Sequence, residues 1–137
     1  MKKVLFVCVG NTCRSQMAEG FARELGKEVM KVSSAGMAAT GFLSPEVLRV
    51  MQEEGIDISG QTSKQITRKM VDGADLVVSL GGCPECEFPE LKQGKLLTWS
   101  VPDPFGMDIS HNRQVRDIIK KKVMDLIIDV SQGKNPK

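Results

Sequence analysis

Residues 4–15 run Val4-Leu5-Phe6-Val7-Cys8-Val9-Gly10-Asn11-Thr12-Cys13-Arg14-Ser15, and no other stretch constrains the fold so tightly. Four consecutive apolar residues predict a strand buried on both faces, as in a parallel sheet. Cys8 ends that strand, Gly10 and Asn11 sit in a short loop, and Ser15 opens a helical pattern. Five residues between the Cys8 thiol and the Arg14 guanidinium let the backbone curl until its N–H groups point into one concavity. A nest of that kind at a helix N-terminus holds a tetrahedral oxyanion. Arg14 adds a planar fork suited to two parallel bonds with such an anion. The same positive field favours the thiolate of Cys8, which is the nucleophilic form. Gly10 and Asn11 are residue types that tolerate the left-handed backbone a tight cradle requires. Taken alone, Cys8 reads as a buried core cysteine before an ordinary turn. The company of Gly10, Asn11, Arg14 and Ser15 outweighs that reading.

Downstream, apolar runs and helical periodicities alternate. Met17, Ala18, Phe21, Ala22 and Leu25 share one side of a helical wheel that Gly26 ends. Residues 29–34 predict a second strand, closed by Ala35-Gly36. Ser44-Pro45-Glu46 is a helix-start signature, with Val47, Leu48 and Met51 facing inward and Gly55 ending the helix. The polar segment from Ser59 to Lys69 is expected to carry a short helix. Asp75 to Leu80 reads as a third strand broken by Gly81-Gly82, and Lys95 to Trp99 as a fourth. Val115, Ile118, Ile119, Val123, Leu126, Ile127 and Val130 recur at helical spacing and predict a long amphipathic last helix. The alternation predicts an α/β fold with a parallel sheet between helices: a single-domain three-layer α/β/α sandwich over residues 1–132. Residues 133–137 read as a flexible tail.

At 137 residues the chain can bury a core without disulfide staples. A net charge of +2, with no basic run interleaved with aromatics, argues against nucleic acid as a partner. No segment is apolar enough to span a membrane, and residues 1–7 run into the loop without a cleavage site, so a cytoplasmic location is expected. In that compartment four cysteines are expected to serve catalysis or metal binding rather than structural disulfides. Zinc is the usual alternative for Cys83-Pro84-Glu85-Cys86, but a structural site wants four ligands. The single histidine, His111, lies far along the chain, and recruiting Cys8 and Cys13 would consume the nucleophile. No metal and no bound cofactor are therefore expected. Asp103 lies in Val101-Pro102-Asp103-Pro104-Phe105-Gly106, where flanking prolines hold its carboxylate in a defined place.

The stretch from Cys8 to Gly20 resembles the active-site loop of the low-molecular-weight protein tyrosine phosphatase superfamily. Cys13 with Gln16-Met17-Ala18-Glu19-Gly20 is most similar to its arsenate reductase branch. The likeness continues through Ser34-Ala35-Gly36, Gly55-Ile56-Asp57-Ile58-Ser59 and Asp103-Pro104. It implies strand order 2-1-3-4, with ligands bound beyond the carboxyl ends of the strands where the order reverses. It implies that Cys8 is the nucleophile and that Val9, Gly10, Asn11, Thr12, Cys13, Arg14 and Ser15 surround the oxyanion. Ser15 would donate to the Cys8 thiolate, and Asp103 would be a general acid.

The reaction the resemblance implies is reduction of arsenate to arsenite. Arsenate would form a covalent adduct on Cys8, and a second thiol would expel arsenite and leave a disulfide with Cys83 or Cys86. An external thiol reductant would then restore the enzyme, either thioredoxin or glutaredoxin with glutathione. Two departures bear on this. Thioredoxin-coupled relatives carry a cysteine where this chain has Gly81, and the pair here has Cys-x-x-Cys spacing rather than a longer gap. The order of attack stays open, with Cys83 first as the expectation. Some relatives also hold potassium at positions matching Asn11, Glu19 and Ser34. Lys64 stands at the fourth, in place of a carboxylate, and a lysine ammonium could take the cation's place there, so no ion is assigned. The alternative reaction is dephosphorylation of a phosphoprotein, at phosphoarginine or phosphotyrosine, through a phosphocysteine. Thr12 and the Asp103-Pro104-Phe105-Gly106 segment resemble the arginine-phosphatase branch. A non-catalytic oxyanion-binding or redox-sensing module is the third reading, and intact Cys8, Arg14 and Asp103 argue against it.

Overall fold

The computed structural model describes residues 1–134, so the expected tail is seen only at Gly133 and Lys134, and 135–137 lie outside the described residues. Strand β1 (Lys2–Cys8) is followed by helix α1 (Arg14–Leu25) and strand β2 (Met30–Gly36). Helices α2 (Pro45–Glu53) and α3 (Arg68–Gly73) precede strand β3 (Leu76–Ser79). Helix α4 (Pro84–Glu87), a 3-10 turn (Pro89–Gln93), strand β4 (Leu96–Thr98) and helix α5 (Ile109–Ser131) follow. The four strands form one parallel sheet in the order β2-β1-β3-β4, as the resemblance implies.

Side-chain parity along β1 divides the core into two layers. Val4, Phe6 and Cys8 face α1, α2 and α5, where they meet Met17, Phe21, Met51, Ile119 and Val123. Leu5 and Val7 face the other way, onto Val71, Val77, Phe88 and Leu91. Val4 to Val7 are all buried, as four apolar residues in a row predict for a strand covered on both faces. Each large side chain so buried contributes about 1.5–3 kcal/mol. The same parity places the Cys8 sulfur on the α1 side, at the strand's carboxyl end.

Three local expectations are corrected. The short helix foreseen within 59–69 begins only at Arg68, because Thr67 caps it by accepting the Met70 N–H at 3.2 Å. The Cys83–Cys86 segment, expected from the two glycines before it to be loop, forms a single helical turn started by Pro84, with the Cys86 N–H on the Cys83 carbonyl. Ile118, assigned to the buried stripe of α5, is exposed, whereas Val115, Ile119, Val123 and Leu126 are buried as foreseen.

Strands β1 and β2 end level, with Cys8 beside Gly36, and β3 ends one step earlier, with Ser79 beside Val7. The chain leaves β1 for β2 on one side and later returns as β3 on the other. The segments 9–13, 37–44, 80–83 and 99–108 therefore crowd one rim of the sheet, the place where open α/β sheets bind ligands.

Candidate active site

The loop after β1 is held from outside by its carbonyls. Those of Cys8, Val9, Gly10 and Thr12 accept from the N–H groups of Met37, Ala38, Thr40 and Ser44 at 2.8–3.2 Å. The Asn11 carbonyl takes the Gln16 side-chain amide at 3.0 Å, and the Cys13 carbonyl takes the Met17 N–H. In a planar trans peptide the next N–H points opposite to the carbonyl, so outward carbonyls leave the amides on the concave side. There they border a cavity of about 160 Å³ lined by Cys8, Val9, Gly10, Thr12, Cys13 and Arg14 from the loop, and by Ala38, Thr40, Asp103 and Phe105 opposite. Asn11 adopts φ 51°, the left-handed turn for which its residue type suits it.

Gly36 makes this loop possible. A Cβ there would lie 2.8–2.9 Å from Asn11 N, Val9 O and Gly10 C, all backbone. Because backbone atoms in a packed turn cannot step aside, Gly36→Ala is expected to destabilise the protein by about 1–3 kcal/mol. It should also weaken phosphate binding in the cavity, and thermal unfolding with phosphate titration checks both.

Each predicted loop residue has a defined place. The Cys8 sulfur lies 2.8 Å from Ser15 Oγ, and Asn11 Nδ2 donates to Ser15 Oγ at 2.7 Å and to Ser34 Oγ at 2.9 Å. Arg14 is buried, and its Nη1 donates to Leu80 O at 2.8 Å and Val101 O at 3.1 Å. Its Nη2 lies 3.7 Å from Asp103 Oδ2. One guanidinium thus ties together the β1 loop, the end of β3 and the Asp103 segment. The Asp103 side chain is 56% exposed at the cavity mouth, and its Oδ1 accepts the Phe105 N–H at 3.0 Å. Cys13 is buried against the cavity. Burial pushes its thiol up to about 12, and the negative charges of Asp103 and Cys8 act the same way, so it stays neutral at physiological pH.

Cys83 and Cys86 are bonded to each other rather than to the loop. They lie outside the cavity lining, Cys83 half-buried and Cys86 exposed. The glycine pair before them reaches the rim: a Cβ on Gly82 would lie 3.6 Å from Val9 Cγ2. The Lys64 ammonium is absent from the Glu19 cluster. Lys64 Nζ donates to Thr62 O, and Arg23 meets the Glu19 carboxylate instead. Arg23 lies one helical turn from Glu19 on the same face of α1, so its guanidinium reaches the carboxylate along the helix surface. Glu19 and Arg23 stand four apart in the chain, the spacing at which oppositely charged helical residues pair, and that spacing is the signal for this contact. Gln16 is wholly buried and its side-chain amide donates to Asn11 O and Thr62 O, a bracing role that its place in the motif did not reveal. Phe42, exposed beside Phe105 with ring centroids 6.3 Å apart, forms a further part of the rim.

A parallel 2-1-3-4 sheet with a thiol and a guanidinium on one amide-lined loop defines a cysteine-dependent oxyanion enzyme. The chain belongs to the low-molecular-weight phosphotyrosine protein phosphatase family, whose profile matches residues 3–135. It is 44% identical over 132 residues to a glutaredoxin arsenate reductase from Synechocystis, covering 96% of this chain and all of that one. It is 39% identical over 120 residues to an arsenate reductase from Staphylococcus aureus, covering 87% and 91%. Among solved structures, an arsenate reductase in a phosphate-binding state superposes with TM-score 0.85 at 44% identity, over 95% of this chain and 99% of that one. An arginine phosphatase from Geobacillus stearothermophilus superposes with TM-score 0.90 at 28% identity, over 97% and 95%. Backbone likeness thus slightly favours the phosphatase and side-chain identity the reductase. Identity bears more directly on the chemistry, since family members share the backbone whatever they catalyse.

Proposed function

We propose that this protein reduces arsenate to arsenite, with Cys8 as nucleophile, Asp103 as general acid and Cys83 and Cys86 as the redox pair. The observation that carries the reading is the Cys83–Cys86 disulfide at the end of the strand next to that of Cys8. A phosphatase has no need of it, and the similarity to two arsenate reductases agrees.

The amides of Val9 to Ser15 and the Arg14 fork hold the arsenate oxygens, and the Cys8 thiolate attacks arsenic. A sulfur–arsenic bond forms while one oxygen departs as water, taking a proton from Asp103. The Cys83 thiolate then attacks the Cys8 sulfur. The sulfur–arsenic bond breaks, its electron pair stays on arsenic, and arsenite leaves with arsenic reduced from the +5 to the +3 state. The resulting Cys8–Cys83 disulfide holds the two oxidation equivalents. Cys86 attacks Cys83, frees the Cys8 thiolate and leaves the Cys83–Cys86 disulfide for an external dithiol, glutaredoxin with glutathione or thioredoxin. Cys13 takes no part, because its neutral thiol is a poor nucleophile.

Intact-mass counting of free thiols tests this. The reduced protein should lose one pair on exposure to arsenate, mapped to Cys83 and Cys86, and retain Cys13. Loss of no pair, with arsenate bound and released unchanged, would overturn the reading. The superposition with an arginine phosphatase supports a second activity of the same loop, cleavage of a phosphoprotein phosphoryl group through Cys8. That reaction uses no second thiol.

A further inference from the structure

Glu19 lies on α1, 3% exposed, behind the active-site loop. Its Oε1 accepts from Ser34 Oγ at 2.5 Å, and its Oε2 meets Arg23 Nη2 at 2.5 Å. From Ser34 the bonds run through Asn11 Nδ2 to Ser15 Oγ and on to the Cys8 sulfur. Proton counting orients every link. A carboxylate only accepts, so the Ser34 hydroxyl proton goes to Glu19, and Ser34 must accept from Asn11. The Asn11 amide cannot flip, because its Oδ1 already takes the Lys64 N–H at 2.8 Å. Ser15 therefore accepts from Asn11, and its own proton is directed at a Cys8 thiolate, which has none to give.

We propose that Arg23 is a positioning residue for Cys8: as counter-charge to the buried Glu19 carboxylate, it fixes the donor direction of the chain that ends on the nucleophilic sulfur. The proposal rests on Cys8 being the nucleophile. Without the guanidinium the buried carboxylate loses its charge partner, and because burying an unpaired charge is costly it no longer stays fixed on Ser34. The Ser34 hydroxyl would then be free to turn its proton toward other partners. Ser34 would cease to be a pure acceptor for Asn11, and the hold on Ser15 would loosen. The Arg23 side chain is 52% exposed and also donates to Gln61 Oε1 at 3.2 Å and Val32 O at 3.3 Å. It borders a cleft of about 500 Å³ with Gly20, Glu24, Gly55, Asp57 and Gln61, so truncating Arg23 would open the place of its guanidinium to a small cation from solution.

The test alkylates the oxidised protein, in which Cys83 and Cys86 are blocked by their disulfide, with iodoacetamide across a pH series, and locates the label by fragment mass. Arg23→Ala should slow Cys8 alkylation at pH 7 about tenfold and move its pH profile upward, while Arg23→Lys stays within about threefold of the parent. Methylguanidinium at a non-denaturing concentration should restore much of the Arg23→Ala rate and leave the parent unchanged. A parent-like profile in Arg23→Ala would overturn the proposal, as would a lowered thermal midpoint with that profile unmoved. If Arg23→Ala fails to fold, Arg23→Gln removes the charge while keeping an amide donor, and its profile decides in the same way. The readout never involves arsenate. A failure of arsenate reduction with a normal alkylation response would strike the functional reading and leave this one standing.

Discussion

In Cys86→Ser, arsenite release stops after one equivalent per protein, and a Cys8–Cys83 disulfide accumulates. In Cys83→Ser, not even the first equivalent appears. The difference follows from the order of attack: Cys83 takes the Cys8 sulfur first, and only then does Cys86 release Cys8 for another cycle. Both variants should still cleave an aryl phosphate at about the parent rate, within about threefold, because that chemistry needs only the loop and Asp103. Rapid-quench arsenite measurement with a protein dithiol donor, together with disulfide mapping, checks all of it. If both variants turn over arsenate normally, the pair plays no catalytic part. If their behaviours are exchanged, Cys86 attacks first. The geometry also requires movement. Neither sulfur borders the cavity, so Gly81-Gly82 must let the short α4 turn swing inward once the pair is reduced. Gly82 has φ 78°, and a Cβ there would lie 2.9 Å from Met37 Cγ, so Gly82→Ala would stiffen this joint.

Arg14→Ala should lower both arsenate reduction and aryl phosphate cleavage by about 10²–10³-fold, the loss typical of removing a donor aimed at developing negative charge. Arg14→Lys should recover little, because a point charge cannot hold Leu80 O and Val101 O while presenting a second nitrogen toward Asp103 and the cavity. Gly81 supplies an independent check. A Cβ on Gly81 would lie 2.6–2.7 Å from Nη1, Cζ and Nη2 of Arg14, so Gly81→Ala must displace the guanidinium while leaving its charge intact. A misplacement on the ångström scale is enough to lower kcat/KM by up to about 10²-fold. The expected loss thus lies between the parent and Arg14→Ala. Activity of Gly81→Ala equal to the parent would show that the guanidinium does not need this seat. A cysteine at position 81 would meet the same contact with Arg14.

The sequence was most legible where local chemistry dictates structure. Four apolar residues before Cys8 read as a doubly buried strand, and Gly10-Asn11 with Arg14 and Ser15 marked the loop-to-helix turn that became the cavity wall. The stripe on α5 was read correctly except at Ile118, because helical periodicity leaves residues at the edge of a stripe undecided. Where the Lys64 ammonium goes was not legible, for a different reason. Matching positions between relatives shows which residue stands near a site, but not which of two cations reaches it. Arg23, one helical turn from Glu19 and already on the same face, holds the carboxylate while Lys64 turns back to Thr62.

From the residues alone came a parallel strand ending in a thiol, an anion-binding turn closed by a guanidinium, and a carboxylate held between prolines. The reason is that backbone propensity and spacing act over a few residues, the range in which a sequence is unambiguous. Tertiary structure decided what those groups touch. Arg14 seats on Leu80 and Val101, 66 and 87 positions away, and Gly36 and Gly81 leave the space that the loop and the guanidinium occupy. Such pairings depend on which surfaces meet when the sheet closes, and no local pattern carries that information.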